Sequence, residues 1–362
     1  MAAIAQLPFE GELPASFFSI PAVVYAGNPH RPYECADTVL NLFRAEATRN
    51  DTVVYTDHAH LRVVGIYPHD GQEAYFGLWE TTHDLALNQA AFRLLAQEAQ
   101  RRGYARLVGP LSFSTFYPYR LRLGAAPSWG MFDREPVNPA YYPELLTQMG
   151  FTPTLTFESR LIRPDAVPLA YSNKATLLAA LQQLPFDFIP LNADTWHEHH
   201  AELFELVGRV FSGNPAYRSI PLAQFRQLYN AEYAAKLCPH TSVLFRDKAS
   251  AQLVALSFCH PNYASLHLGS TPPNFARDYP RLMERILLAK TVGVHPDFRN
   301  QQLMNYLGAY GMMSFRELYD QVIFCLMRSD NFSRHFTDDL PFEVAQYALF
   351  GQDLRSQRLE LR

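Results

Sequence analysis

Apolar and polar positions follow two rhythms along this chain, and the same order of rhythms occurs twice. In the first half, strand-like runs stand at 53–56 (VVYT), 61–67 (LRVVGIY) and 74–79 (AYFGLW), with a turn at His69-Asp70-Gly71 between the last two. A helical period follows over 84–102; Asp84 suits its start and Gly103 its end. RLVG at 106–109 reads as a short strand. Upstream, Val39, Leu42, Phe43 and Ala47 fall at helical spacing and predict a helix over 33–49. The Pro- and Gly-rich stretch 1–30 reads as an extended lead-in. Downstream, NPAYYPELLTQMGF at 138–151 predicts a helix and a turn, and 157–162 predicts a closing strand.

The second half repeats this pattern. FDFIPL at 186–191 reads as a strand, 196–210 and 222–237 as helices, the former capped by Asp194 or Thr195. TSVLF (241–245), QLVALSF (252–258) and ASLHL (264–268) read as antiparallel strands. An apolar run at 286–294 breaks at Pro296, and helical spacing resumes at Leu303, Tyr306, Leu307, Tyr310 and Met313. QVIFCLM at 321–327 is apolar at every position after Gln321, which predicts a strand buried on both faces, and 342–350 is a last strand. Between the halves lies RPDAVP, 163–168, a polar proline-bearing linker. The expected domains are 1–165 and 166–362, a division that suits a chain of 362 residues.

Composition narrows the partners. The formal charge of −4 and the absence of a Lys/Arg-rich run leave no electrostatic footprint for nucleic acid or anionic membrane. The four cysteines, Cys35, Cys238, Cys259 and Cys325, are too dispersed for a zinc site or a disulfide framework, so free thiols are expected and no metal. The N-terminal residues carry Glu10 and Glu12 and no basic cluster, and no apolar run reaches the ~20 residues of a membrane span, so a cytoplasmic protein is expected.

The stretch 286–304, ILLAKTVGVHPDFRNQQLM, carries the most specific signal: a strand, a basic turn and a helix N-terminus, which together make an anion site. It resembles the coenzyme-binding motif of the GNAT acyltransferase superfamily, whose fourth strand reads V-x-V-x-P and enters R-G-x-G-x-G/A before a helix. Val292, Val294, Pro296 and Arg299 match; the three small positions fall on Asn300, Gln302 and Met304, none of them glycine. The resemblance covers most of the chain. It implies an α/β fold of two tandem GNAT-like units, each a mixed, mostly antiparallel sheet flanked by helices. It also implies pantetheine along Val292, Gly293 and Val294, where the fourth and fifth strands splay. Phosphate would lie at Arg299, Asn300, Gln301, Gln302, Leu303 and Met304, with Asn331 matching an asparagine after the fifth strand. In the first half, Glu80 and Asp84 occupy the place of the pyrophosphate, and two carboxylates repel it. That half is expected to lack a coenzyme site.

Acyl transfer to an amine requires a proton acceptor, an oxyanion donor and a route for protonating the thiolate. The fourth strand lacks the carboxylate that many GNAT enzymes place there; Lys290 stands in that region and acts as a base only when desolvated, or else is a strand-end lysine facing solvent. The family's tyrosine position falls on Asp338. Asp330, His335 and His267 are the substitutes that could move a proton, and the Val292 or Val294 amide could hold the oxyanion. Tyr306 and Tyr310 fit either a groove or the core, and Phe113, Phe116, Tyr117, Tyr119 and Arg120 fit either an acceptor wall or ordinary packing. The expected activity moves an acyl group from acyl-CoA or acetyl-CoA to a small amine. An acyl carrier protein is an alternative donor, because its phosphopantetheine arm has one phosphate and tolerates a loop without glycines. The competing expectation is a catalytically decayed GNAT-fold binding or scaffold protein.

Overall fold

The computed structural model describes residues 3–28 and 34–355, so the ends of the expected lead-in and the start of the helix expected over 33–49 lie outside the described residues. Thirteen strands are labelled in chain order: β1 Ala5–Pro8, β2 Asn50–Thr56, β3 Leu61–Pro68, β4 Glu73–Thr81, β5 Arg106–Gly109, β6 Leu121–Leu123, β7 Thr152–Ile162, β8 Phe186–Pro190, β9 Val243–Asp247, β10 Leu253–Pro261, β11 Ile286–Val294, β12 Gln321–Arg328 and β13 Glu343–Asp353. The chain divides into two compact units whose segments interleave. The first takes the residues up to Ala125, then Pro136–Thr156 and the stretch from Gln346 on; the second takes Ala126–Glu135 and Phe157–Ala345.

The first unit carries the strand order β1-β2-β3-β4-β5-β13, with β6 beside β13. All its pairings are antiparallel except β4 with β5. β3 is buried at every position, as expected of a strand flanked on both edges and covered on both faces. Over it lies the helix Leu85–Arg101, started by Asp84, whose carboxylate accepts from the Leu87 amide at 2.9 Å. Its apolar face buries Ala91, Phe92, Leu95, Ala96 and Ala99. Phe76, Trp79, Phe92 and Phe151 meet edge to face beneath it, and each such ring contributes about 2–3 kcal/mol of burial.

The second unit carries the order β7-β12-β11-β10-β9-β8, again antiparallel except for β11 with β12. β10 is buried along its whole length. On one side, Val254, Val294, Leu303, Leu307 and Tyr310 form a core cluster, so Tyr310 is a core residue. The helix His200–Phe211 presses close on β11: a Cβ at Gly293 would stand 2.3 Å from the Val210 Cγ1, which is why a side chain is missing there.

Five local expectations are corrected. The lead-in contains β1 and a helix, Ala15–Val24, because burial of Phe17 and Ile20 outweighs the interior Pro21. The expected strand at 264–268 is a 3₁₀ turn, Ala264–Leu266; the Asn262 side-chain oxygen accepts from the Ala264 amide and His267 turns left-handed at φ 47°, which no strand permits. The expected linker at 163–168 starts a helix, Val167–Ala180, since proline in a first turn removes no helical hydrogen bond. The helix expected over 222–237 is two, Leu222–Leu228 and Ala231–Ala235, because Asn230 begins a second one by accepting from the Tyr233 amide. The cap expected at Asp194 or Thr195 is Asn192, in a capping box with Thr195.

Candidate active site

In the second unit, β11 and β12 pair in parallel from Ile286↔Gln321 to Ala289↔Phe324, and there the ladder stops. Both strands continue, to Val294 and to Arg328. Each is irregular at that level. On β11 the register with β10 passes from Ala289↔Cys259 to Thr291↔Phe258, leaving Lys290 as the extra residue of a bulge. On β12 the register with β7 shifts between Phe324 and Met327, with Leu326 at φ 54° and its amide donated to the Ser159 Oγ. A parallel ladder interrupted while both strands run on leaves the β12-facing edge of β11 without ladder partners, which is where a ligand backbone can add.

Polar side chains gather beside this interruption from four places in the chain. Lys290 comes from the bulge, and its Nζ donates to the Asp133 carbonyl oxygen at 2.6 Å while lying 4.7 Å from the Phe132 ring centre. Lys236 ends the helix Ala231–Ala235 and donates to the Asp133 carboxylate at 2.6 Å. His260 comes from the end of β10, and its Nε2 lies 3.6 Å from the same carboxylate. Its Nδ1 lies 2.8 Å from the Pro261 carbonyl oxygen, which places the ring proton on Nδ1. Asp133 belongs to the segment Ala126–Glu135, pinned by the wholly buried Phe132 and by the Asn262 side-chain amide donating to the Met131 carbonyl.

Electrostatics follow from this packing. Burial pushes His260 down to about 3, and Lys236 beside it adds to the effect, so the imidazole is neutral at physiological pH. Burial also lowers Lys290 and Lys236 below the ordinary lysine value. For Asp133 burial works upward, but the cations Lys236, Lys290 and Arg134 together hold the carboxyl well below its usual range, although 40% of its side chain is exposed. Cys325, on β12, is pushed up to about 12 by burial and remains a neutral thiol.

The residues expected from sequence fall into three groups. Lys290 shares β11 with Val292, Gly293 and Val294, and it is half-buried, so it is not a solvent-facing strand end. Arg299, Asn300 and Gln301 are exposed on the 3₁₀ turn Pro296–Gln301; one Arg299 Nη donates to the Val210 carbonyl at 3.2 Å, the end of a helix. Gln302 turns left-handed at φ 57°, and the helix Leu303–Met312 begins after it, with Leu303 buried and Met304 packed against the core cluster. Asp330, Asn331 and His335 lie past the end of β12, exposed. Asp330 pairs with Arg328, and His335 meets Asp338 at 2.6 Å. Asp338, where the resemblance leads one to expect a tyrosine, is held low by hydrogen bonds from Arg160 and His335, so it stays ionised and cannot donate a proton. Among the described residues no hydrogen bond or ion pair joins this last group to the Lys290 cluster. Asp133, Lys236 and His260 escaped the sequence; only His260, a histidine closing an apolar run, left a visible trace.

In the first unit the corresponding pair, β4 and β5, matches from Glu73↔Arg106 to Tyr75↔Val108. Here the next residues close the gap. The Leu111 amide donates to the Phe76 carbonyl at 2.8 Å. A Cβ at Gly109 would lie 2.3 Å from that carbonyl oxygen, and one at Gly77 2.7 Å from the Leu111 oxygen. Glu80 lies in β4 and accepts from the Tyr142 phenol at 2.8 Å. Burial pushes its carboxyl up to about 7, against the pull of Arg62. Phe113, expected as an acceptor wall or as packing, is core: it lies with Phe17 and Phe43 in a buried cluster.

No family model matches the sequence, and no curated protein does. Solved structures do match in fold. A tandem GNAT protein from the clavulanic acid biosynthesis pathway, solved without acetyl-CoA, is similar over 97% of this chain and 99% of its own, at 10% identity and a TM-score of 0.52. A probable N-acyltransferase from Enterococcus faecalis is similar over 97% of this chain and 73% of its own, at 8% identity and a TM-score of 0.51. The chain has the tandem GNAT fold. Among the described residues no helix is long and apolar enough to cross a membrane, and no group of His, Cys, Asp and Glu is placed to hold a metal.

Proposed function

We propose that the second unit is an N-acyltransferase that takes its acyl group from acetyl-CoA or another acyl-CoA and passes it to a small amine. The observation that carries this reading is the interrupted β11–β12 ladder beyond Ala289↔Phe324, set against its filled counterpart in the first unit. Pantetheine would pair with Val292–Val294, and Arg299 would meet phosphate with the part of its guanidinium not given to Val210. A β11 backbone amide past the bulge would take the oxyanion, worth roughly 3 kcal/mol. Holding amine and thioester together would supply more, on the order of 7–11 kcal/mol in good intramolecular cases. Dedicated proton transfer adds about 10²–10⁴-fold. Its loss, with Asp338 at the tyrosine position, slows such a reaction without ending it.

Carrier-protein phosphopantetheine is the second donor this site would take, favoured by a loop that has Asn300, Gln302 and Met304 in place of glycines. A binding protein that has lost catalysis is the competing reading, favoured by the absence of a tyrosine at position 338. Calorimetry with acetyl-CoA, followed by thiol release in the presence of amines, separates the three. Binding with turnover supports the enzyme, binding without turnover the decayed protein, and turnover only from a carrier-bound thioester the second donor.

A further inference from the structure

We infer that the acceptor is an amine bearing a carboxylate, of the amino-acid class, and that Lys290 together with Lys236 holds that carboxylate. The inference rests on the acyltransferase reading of the second unit. Lys290 is a half-buried ammonium whose hydrogen-bond partner is a neutral carbonyl, that of Asp133, with the Phe132 ring against it. A desolvated cation so placed gains from an anion that arrives with its own charge. Only 12% of the Lys236 side chain is exposed, and it shares the Asp133 carboxylate with His260, which is neutral. Around this point Lys236, Lys290 and Arg134 are cations, and Asp133 and Glu135 are anions. Glu135 is already occupied, accepting from the Trp129 indole and the Phe132 amide. Lys290 bonds a carbonyl and not a carboxylate, and it stands on the bulge where the ladder opens, next to where a thioester carbonyl would lie. A carboxylate anchored there directs the amine of the same small molecule toward the thioester.

The test uses the full chain, acetyl-CoA as donor, and a panel of free amino acids beside their α-amides and decarboxylated amines, read by thiol release. The expected result is turnover of acids at least about 10-fold above the matching amides, the range of a hydrogen bond between charged groups. Lys290→Gln should raise KM for the acid by roughly 10–100-fold and reduce the preference of acid over amide, and Lys290→Arg should restore part of it. Lys236→Gln is the second variant, with the same expected direction, should Lys290→Gln fail to fold. Equal use of amides and acids overturns the inference, as does an unchanged preference in both variants. So does acetyl-CoA binding with no acid in the panel acylated. Failure of acetyl-CoA to bind, with no turnover from a carrier-bound thioester either, would instead sink the acyltransferase reading, so the two failures are distinguishable.

Discussion

The two units place a parallel strand pair at the same point of their sheets and end it differently. In the second, β11 and β12 stop pairing at Ala289↔Phe324, and charged side chains gather beside the break. In the first, β4 and β5 stop at Tyr75↔Val108, and the chain itself continues the contact through Gly109, Pro110 and Leu111. One fold thus yields an accessible strand edge or an occupied one, depending on the few residues that come after a single short strand. Glycines at 77 and 109 permit the occupied version, because any Cβ there meets backbone oxygen. On the proposed reading no phosphate would have to enter the first unit, where Glu80 hydrogen-bonds to Tyr142.

The comparison breaks most severely if Gly109 is not required. Gly109→Val should cost on the order of 3 kcal/mol or more of first-unit stability, measured by urea unfolding, since the clashing atom is the Phe76 carbonyl oxygen and cannot rotate away. Unchanged stability would mean that the filled gap is incidental. The next largest effect is on ligand binding. Arg299→Glu should weaken acetyl-CoA by at least about 30-fold in calorimetry, because it exchanges a phosphate partner for a repelling charge. A melting curve of the free variant shows whether loss of the Val210 contact matters separately. Equal affinity in wild type and variant would place the coenzyme elsewhere.

A smaller effect sharpens the first unit's side of the contrast. Glu80 has its carboxyl raised from 4.5 to about 7, so the folded state retains a proton that the unfolded chain has released. Its contribution is fully present below about pH 4.5 and is lost as the pH rises toward 7. Glu80→Gln, which stays neutral, should therefore melt near wild type at pH 4.5 and a few degrees above it at pH 8, roughly 1–2 kcal/mol. A lower melting temperature at pH 8 would show that the carboxylate, not the acid, is the form the fold prefers. The smallest effects are expected at Asp330 and His335. Both are exposed and each meets a neighbour of its own, Arg328 or Asp338, apart from the Lys290 cluster, so Ala at either should cost less than about tenfold in turnover. A thousandfold loss with thioester binding intact would identify a dedicated proton carrier there.

Periodicity disclosed the strands and helices that are long and strongly patterned: β3, β10 and the helix Leu85–Arg101 match their sequence signals closely, whereas β12 has the expected bounds but alternates half-buried and buried positions where burial on both faces was expected. The strand Ile286–Val294 and its break at Pro296 were equally legible. What local sequence could not reveal were the elements whose existence depends on distant burial. The helix Ala15–Val24 contains Pro21 and shows little amphipathic pattern; its buried Phe17 is what holds it. The Lys290 cluster was invisible for a related reason. Asp133, Lys236 and His260 stand far apart in the chain, and only folding brings an isolated charge to another's side. The interleaved segments are likewise silent in sequence, since β13 has the composition of any edge-to-core strand and nothing in it says which unit it completes.

That interleaving has a consequence for how the protein is made. A ribosome delivers residues in order, and the second unit has all its segments once Ala345 has emerged. The first unit, although it begins the chain, waits for Gln346 and beyond, where Phe350 and Gly351 pair with Gly109 and Val108. Until then β5 presents an uncovered edge to the cellular surroundings, the kind of edge that recruits other strands. The half synthesised first is thus the half finished last, and its exposure during translation lengthens with every residue added to the other half.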